Sequence, residues 1–260
     1  MNFLAKRLRA IRVRVGTIRR QHIDRYLAKR GLTVVSSGGG YIDAVSTIQR
    51  AESEGLTVCD YLESRETEAS KVGRRDRIVD VCLNRLRTTE IESILEIGSG
   101  TGMYLEAFVD RLRPSCYEVY ETDVPWRSYL KRTYGGDHPQ LRVYDCDGRS
   151  LRQTQDSTVD LVHAHGVFVY LSSVNTAQYI QEMARVCRPG GSIVFDIYVS
   201  SEFTSTIIDR WIRRGMLFPV LTDTTWLRGW TEHCGLTLTD QFDEVHGASS
   251  VRYLIFEKRR

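Results

Sequence analysis

The chain has no apolar run approaching the roughly 18 residues that a membrane span needs, and its first residues lack the apolar core of a secretory signal. Proline is scarce, five in 260 residues, and with 42% hydrophobic and 27% charged residues the composition excludes disorder over most of the length. Cysteine is present six times, as Cys59, Cys82, Cys116, Cys146, Cys187 and Cys234, yet no two form a CxxC pair and no Cys/His cluster has zinc spacing. No metal site is expected. The thiols read as small hydrophobes in a cytoplasmic protein.

The net charge is only +3, but residues 1–30 hold ten Lys or Arg against one acid, Asp24. Phe3, Leu4, Leu8, Ile11, Val15 and Ile18 recur there at helical spacing, giving a basic amphipathic extension. Its readings are peripheral contact with an anionic membrane, organelle targeting, or a solvated helix packed on the domain. Ser36-Ser37-Gly38-Gly39-Gly40 is a flexible break. This divides the chain into an extension over 1–40, a helical lid over 41–90 and a main domain over 91–260. In the lid, Ile42, Val45 and Ile48 form one apolar face, and Thr57 is placed to cap a short helix with Asp60 in its first turn. A third helix is expected over 67–87, with Ile78, Val79, Cys82, Leu83 and Leu86 on one side.

From residue 93 apolar runs alternate with helical stretches, at 94–97, 117–122, 141–145, 159–165, 192–199, 236–242 and 251–257. Such alternation predicts a doubly wound α/β fold: a seven-stranded, mostly parallel sheet with helices on both faces. The last two runs are joined by Asp243 to Ser250, too short for a helix, so the last strand should be antiparallel.

The first of these runs enters a glycine turn, Ile94-Leu95-Glu96-Ile97-Gly98-Ser99-Gly100-Thr101-Gly102, and a helix-like segment follows. Gly98, Gly100 and Gly102 let the backbone approach a ligand closely, and the helix start aims free N–H groups at it. The spacing is GxGxG; Met103 stands where a dinucleotide fingerprint has its third glycine, which counts against NAD and FAD. No Lys-Ser or Lys-Thr follows, so the turn is not a P-loop.

LEIGSGTG resembles the first motif of class I S-adenosylmethionine-dependent methyltransferases, and the similarity of pattern runs from about residue 70 to the C-terminus. The resemblance implies S-adenosyl-L-methionine as cofactor, with Gly98, Ser99, Gly100 and Gly102 wrapping its methionine part and Glu96 near the methionine amino group. The second strand ends in VYETD; the family's ribose-binding carboxylate falls on Asp123, with Glu121 as the alternative. The third strand ends in Asp145-Cys146-Asp147-Gly148, where the family's adenine contact falls on Asp147 and Gly148, with Asp145 second. The segment VDLVHAHGVFVYL resembles the fourth motif and sets Ala164 and His165 at a strand's C-terminal end, where open α/β sheets bind ligands. ARVCRPGGSIVFDIY resembles the helix, turn and fifth strand.

A sulfonium is already a strong methyl donor, so the protein's task is to align the acceptor and, for a hydroxyl, to take its proton. His165 is the first candidate for that base and for a contact to the methionine end. Tyr170 and Tyr198 are candidates to orient the acceptor, and His163 reads as a buried histidine. Arg74, Arg75 and Arg77 could meet an anionic substrate or form a solvated helix face. The (N/D/S)PP(Y/F) signature of amino-methylating nucleic-acid enzymes is absent, since this region reads HAHGVFVY. Cys187-Arg188-Pro189 reverses the Pro-Cys order of cytosine C5 enzymes. Nucleic acid is therefore a disfavoured partner. The expected acceptor is a small metabolite or a glycan or lipid-linked precursor; an RNA methyltransferase using the basic arm and a non-catalytic scaffold are the rival readings.

Overall fold

A computed structural model describes residues 42–65, 73–87, 90–138, 140–213, 220–246 and 249–260. The basic helix expected over 1–30, the glycine break at 36–40 and the start of the third lid helix, 67–72, lie outside the described residues. Among those described, no helix is long and apolar enough to cross a membrane.

The apolar runs become strands β1 (Ser93–Ile97), β2 (Cys116–Glu121), β3 (Leu141–Asp145), β4 (Val159–Ala164) and β5 (Cys187–Val199). They are followed by β7 (Leu236–His246) and β8 (Ser249–Lys258), with a two-residue strand β6 (Leu221–Thr222) between. The sheet order is β3-β2-β1-β4-β5-β8-β7, with β6 paired to the end of β5. Pairing is parallel from β3 to β5, and β8 runs antiparallel to both β5 and β7. The expected seven strands are present with the last one reversed; the short β6 is an addition. Pro189-Gly190-Gly191 lies inside β5, at a register shift against β4.

Strands covered on both faces lose the apolar/polar alternation and read as nearly continuous hydrophobic runs. One face is covered by α3 (Arg74–Arg85), α4 (Met103–Leu112) and α5 (Val124–Tyr134), whose Ile78, Val79, Leu105, Phe108, Trp126 and Leu130 pack on Ile94, Val119, Leu161 and Val194. The other is covered by α6 (Ser173–Val186) and α8 (Thr224–His233), through Tyr179, Ile180, Met183 and Leu227. A further helix, α7 (Ser205–Arg213), buries Trp211 against Tyr198 and Phe203.

In the lid, α1 (Ala44–Ser53) is capped by Asp43 and α2 (Val58–Ser64) by Thr57, with Asp60 in its first turn as expected. The buried face of α1 differs from the expected one. Ala44, Thr47 and Ala51 are buried and Ile48 packs partly buried against the core, while Ile42, which precedes the helix, is 40% exposed. The lid is anchored at the glycine turn: the Val58 N–H donates to the Tyr129 hydroxyl at 3.0 Å, and the Cys59 thiol lies 3.7 Å from the Thr101 carbonyl and 3.6 Å from the Tyr134 hydroxyl.

Candidate active site

The strand order reverses between β1 and β4, so the chain leaves their C-terminal ends in opposite directions and opens a crevice there. The glycine turn forms one wall. Gly98 has φ +70°, and a Cβ on it would stand 2.7 Å from Val167 Cγ2 in the segment after β4. Gly102 has φ +82°, and its Cβ would meet Tyr134 at 2.6 Å. Both positions demand glycine twice over, by dihedral and by contact. Around Gly100 nothing lies within 4 Å of a Cβ position, which leaves open space over the turn.

The carboxylate facing this turn is Glu121. It is the last residue of β2, 6% exposed, and accepts the Gly100 N–H at 2.9 Å and the Asp123 N–H at 2.9 Å. Burial raises its pKa, and these two N–H groups work against that rise. Asp123, the first choice from sequence, is placed differently. Its carboxylate caps α5 by accepting the Trp126 N–H at 3.3 Å, with Pro125 in the first turn. Of the two acids it is Glu121 that faces the turn, because the strand ends at 121 and Asp123 starts the helix.

At the end of β3, Asp145 pairs with Arg127, whose guanidinium also donates to the Glu121 and Thr122 carbonyls and so ties β2 to β3. Asp147 turns its carboxylate onto its own loop. It accepts the Arg149 and Ser150 N–H groups at 3.1 and 2.8 Å and the Ser150 hydroxyl at 2.9 Å, while Gly148 follows with φ +80°. Burial opposes ionisation there, but the Ser150 and Arg149 bonds and the Arg152 charge together outweigh it and hold this carboxyl below the usual range.

Glu96 and His163 are partners in the β1–β4 register, so their side chains share the α4 face of the sheet. Both are fully buried, and Tyr117 of β2 joins them: its hydroxyl lies 2.9 Å from Glu96 Oε2 and 2.9 Å from His163 Nε2. Burial pushes the Glu96 carboxyl up to about 8 against the pull of the Tyr117 hydroxyl. The Ser99 hydroxyl favours the Glu96 anion from the turn but makes no hydrogen bond of ordinary geometry.

His165 follows β4 and stacks on Tyr104 of α4, ring centroids 3.8 Å apart and 12° from parallel. Neither of its ring nitrogens has a hydrogen-bond partner among the described residues. Burial lowers its pKa to about 3, so the ring is neutral and only weakly basic. Next to it stands a residue that sequence reasoning missed. Asp196 of β5 is 3% exposed and accepts the Gly166 N–H at 2.7 Å; burial raises its pKa to about 6, with that N–H and the Arg74 charge pulling the other way. Its charge is felt by Tyr104, Tyr170, Tyr198 and Tyr253, and Tyr253 is its direct partner across β5–β8. An acid inside the apolar run SIVFDIYV was the signal available. Tyr170 lies in the 3-10 turn Phe168–Tyr170, with burial pushing its hydroxyl up to about 12. Of the three arginines, Arg75 pairs with Glu63, Asp76 and Glu106, and Arg77 with Glu244.

The structure thus gathers the glycine turn, Glu96, Glu121, His165 and Asp196 around the C-terminal halves of β1, β2, β4 and β5. The described residues hold no group of three or more acids, histidines or cysteines able to bind a metal. An open, N–H-lined turn facing a bidentate acceptor, with an acid beneath it, fits an adenosyl sulfonium carrying an amino acid tail.

Comparison with known proteins agrees. The methyltransferase domain family matches residues 95–195. The human thiol S-methyltransferase TMT1A is 29% identical over 112 residues, covering 42% of this chain and 44% of that protein. The malonyl-[acyl-carrier protein] O-methyltransferase of Marinomonas sp. (strain MWYL1) is 25% identical over 118 residues, covering 45% and 42%. The matched segments span less than half the length of either relative. Among solved structures, a putative sarcosine dimethylglycine methyltransferase from Galdieria sulphuraria shares the fold with TM-score 0.58 at 13% identity, over 76% of this chain and 90% of that one. Residues 95–195 thus match a methyltransferase domain, and the strand order and glycine turn show a fold similar to that of S-adenosylmethionine-dependent methyltransferases.

Proposed function

We propose that this chain methylates a hydroxyl of a small-molecule acceptor, using S-adenosylmethionine held over the glycine turn. The observation that carries the reading is the Gly100 N–H donating to Glu121 beside open space. When bound, the cofactor supplies a methyl group on a sulfonium. Glu121 would accept both ribose hydroxyls, a pairing that suits a carboxylate's two oxygens. The Asp147–Gly148 turn would border the adenine edge, and Glu96 would face the methionine amino group.

His165, neutral and flat against Tyr104, would line the methyl-donor end without charge that could repel a sulfonium. Asp196 is the better base. Its pKa of about 6 leaves it ionised at neutral pH yet more basic than an ordinary carboxylate. Asp196 would take the acceptor's proton, while the bound sulfonium would supply the methyl group and leave as a neutral thioether. Tyr170 and Tyr198 would orient the acceptor. A lipid- or glycan-linked acceptor, reached through contact of the basic residues 1–30 with an anionic membrane, belongs to the same reading; unchanged liposome binding on deleting 1–30 would remove that part.

Calorimetric titration with S-adenosylmethionine and with NAD tests the cofactor. Strong binding of the first only, weakened in Glu121→Gln, is expected; no binding of S-adenosylmethionine would refute the reading. A labelled-methyl screen then compares hydroxyl with thiol acceptors.

A further inference from the structure

We propose that His163 and Tyr117 are positioning residues for the cofactor's amino group. They form a one-way hydrogen-bond chain, from His163 Nε2–H to the Tyr117 hydroxyl to Glu96 Oε2, that keeps Glu96 an acceptor. The proposal rests on the cofactor site described above but concerns residues that site does not require.

The direction follows from counting protons. The Tyr117 hydroxyl has one hydrogen and two neighbours, each at 2.9 Å. If it donated to His163, the ring proton would sit on Nδ1, which is buried and has no acceptor among the described residues. Glu96 would then have to direct its own proton onto the Tyr117 oxygen, making Oε2 a donor. If Tyr117 donates to Glu96 instead, the ring carries its proton on Nε2, and the unpartnered atom is only a lone pair. A buried N–H left without an acceptor is the rarer and more costly defect. The second arrangement therefore wins.

Its consequence is geometric. Oε2 is occupied by Tyr117, and the other oxygen remains for a donor arriving beside Ser99. The groups facing Glu96 are Tyr117 and Glu121 from β2 and His163 from β4; α4 presents Phe108, tilted against His163 at 4.5 Å, and Tyr104, stacked on the neutral His165. None of them supplies a positive charge. The cofactor's ammonium would supply it, so binding should ionise Glu96.

Two measurements test this. Nitrogen-15 NMR of the free protein, with His163→Gln used for assignment, should show the Nε2–H form of His163 at neutral pH; the Nδ1–H form overturns the proposal. Calorimetry then compares S-adenosylhomocysteine with methylthioadenosine, which lacks the amino acid part. Tyr117→Phe and His163→Leu should weaken the first at least tenfold at pH 7 and move its pH midpoint up by about one unit, tenfold in affinity, while leaving the second within twofold. His163→Gln can offer an amide N–H in place of Nε2–H and should recover most of the loss. Equal weakening of both ligands would mean structural damage and overturn the positioning role. If the wild type binds neither nucleoside, the functional reading fails, and the tautomer in the free protein still decides the direction of the chain.

Discussion

The N–H of Gly100 donates to the carboxylate of Glu121 across 2.9 Å, joining the glycine turn to the end of the neighbouring strand. The hydrogen bond shapes the turn and holds the carboxylate at the crevice, whereas Asp123 two residues later is spent on the start of α5. The two acids should therefore separate cleanly on mutation. Glu121→Gln should weaken S-adenosylmethionine binding by one to two orders of magnitude, the loss of a charged hydrogen-bond acceptor for two hydroxyls. Asp123→Ala should instead cost about 1 kcal/mol of stability, the usual worth of an N-cap, with cofactor affinity changed by less than threefold. Calorimetry and chemical denaturation on both variants check this; the reverse pattern would restore Asp123 as the ribose ligand.

Gly98 should tolerate no side chain. An alanine there meets Val167 at 2.7 Å in a left-handed conformation, and the dihedral alone costs roughly 1–2 kcal/mol. Gly98→Ala should lower the melting temperature and abolish cofactor binding. Adding Val167→Ala should recover part of the stability by removing the clash, but not the share due to the dihedral. Full recovery would show that the dihedral carries no strain.

Asp196 should govern the acid limb of activity. With its pKa raised to about 6 by burial, kcat/KM for a hydroxyl acceptor should rise through about pH 6 and level off above it. Asp196→Asn should remove that limb and lower kcat by a factor of about 10²–10⁴, the usual contribution of a general base, with cofactor affinity retained. A limb unchanged in the variant would exclude Asp196 as the base.

Glu96 should make the cofactor-free protein less stable as pH rises. Its folded pKa of about 8 lies above the ordinary 4.5, so the folded state holds a proton that the unfolded chain releases. Stability is then lost as pH rises through that window, by about 1.4 kcal/mol per unit. His163 and His165 act in the opposite sense and at lower pH. Burial depresses both, so they cost stability only as pH falls below about 6.5. Between pH 6.5 and 8 the melting temperature should therefore fall in the wild type and stay level in Glu96→Gln. Saturating S-adenosylhomocysteine should flatten the wild-type slope.

Much of this arrangement is local and so could be read along the chain. A strand running into Gly98-Ser99-Gly100-Thr101-Gly102 and a helix depends on neighbours in sequence, and the alternating apolar runs follow from burial of both sheet faces. Even the choice between Glu121 and Asp123 left a local trace: Pro125 in the turn after Asp123 marks a helix start.

Other features had no local trace. Tyr117 and His163 are 46 residues apart and meet because β1 and β4 pair with Glu96 opposite His163. Asp196 reaches the segment after β4 because β5 lies beside β4 and offers its carboxylate to the Gly166 N–H. Residue order alone set the layers, the glycine turn and the class of ligand, since periodicity and backbone freedom belong to short segments. Which acid faces the glycine turn, and which histidine is tied and which is merely stacked, were decided by strand register and burial, because a side chain's charge and hydrogen bonds depend on neighbours that only folding supplies.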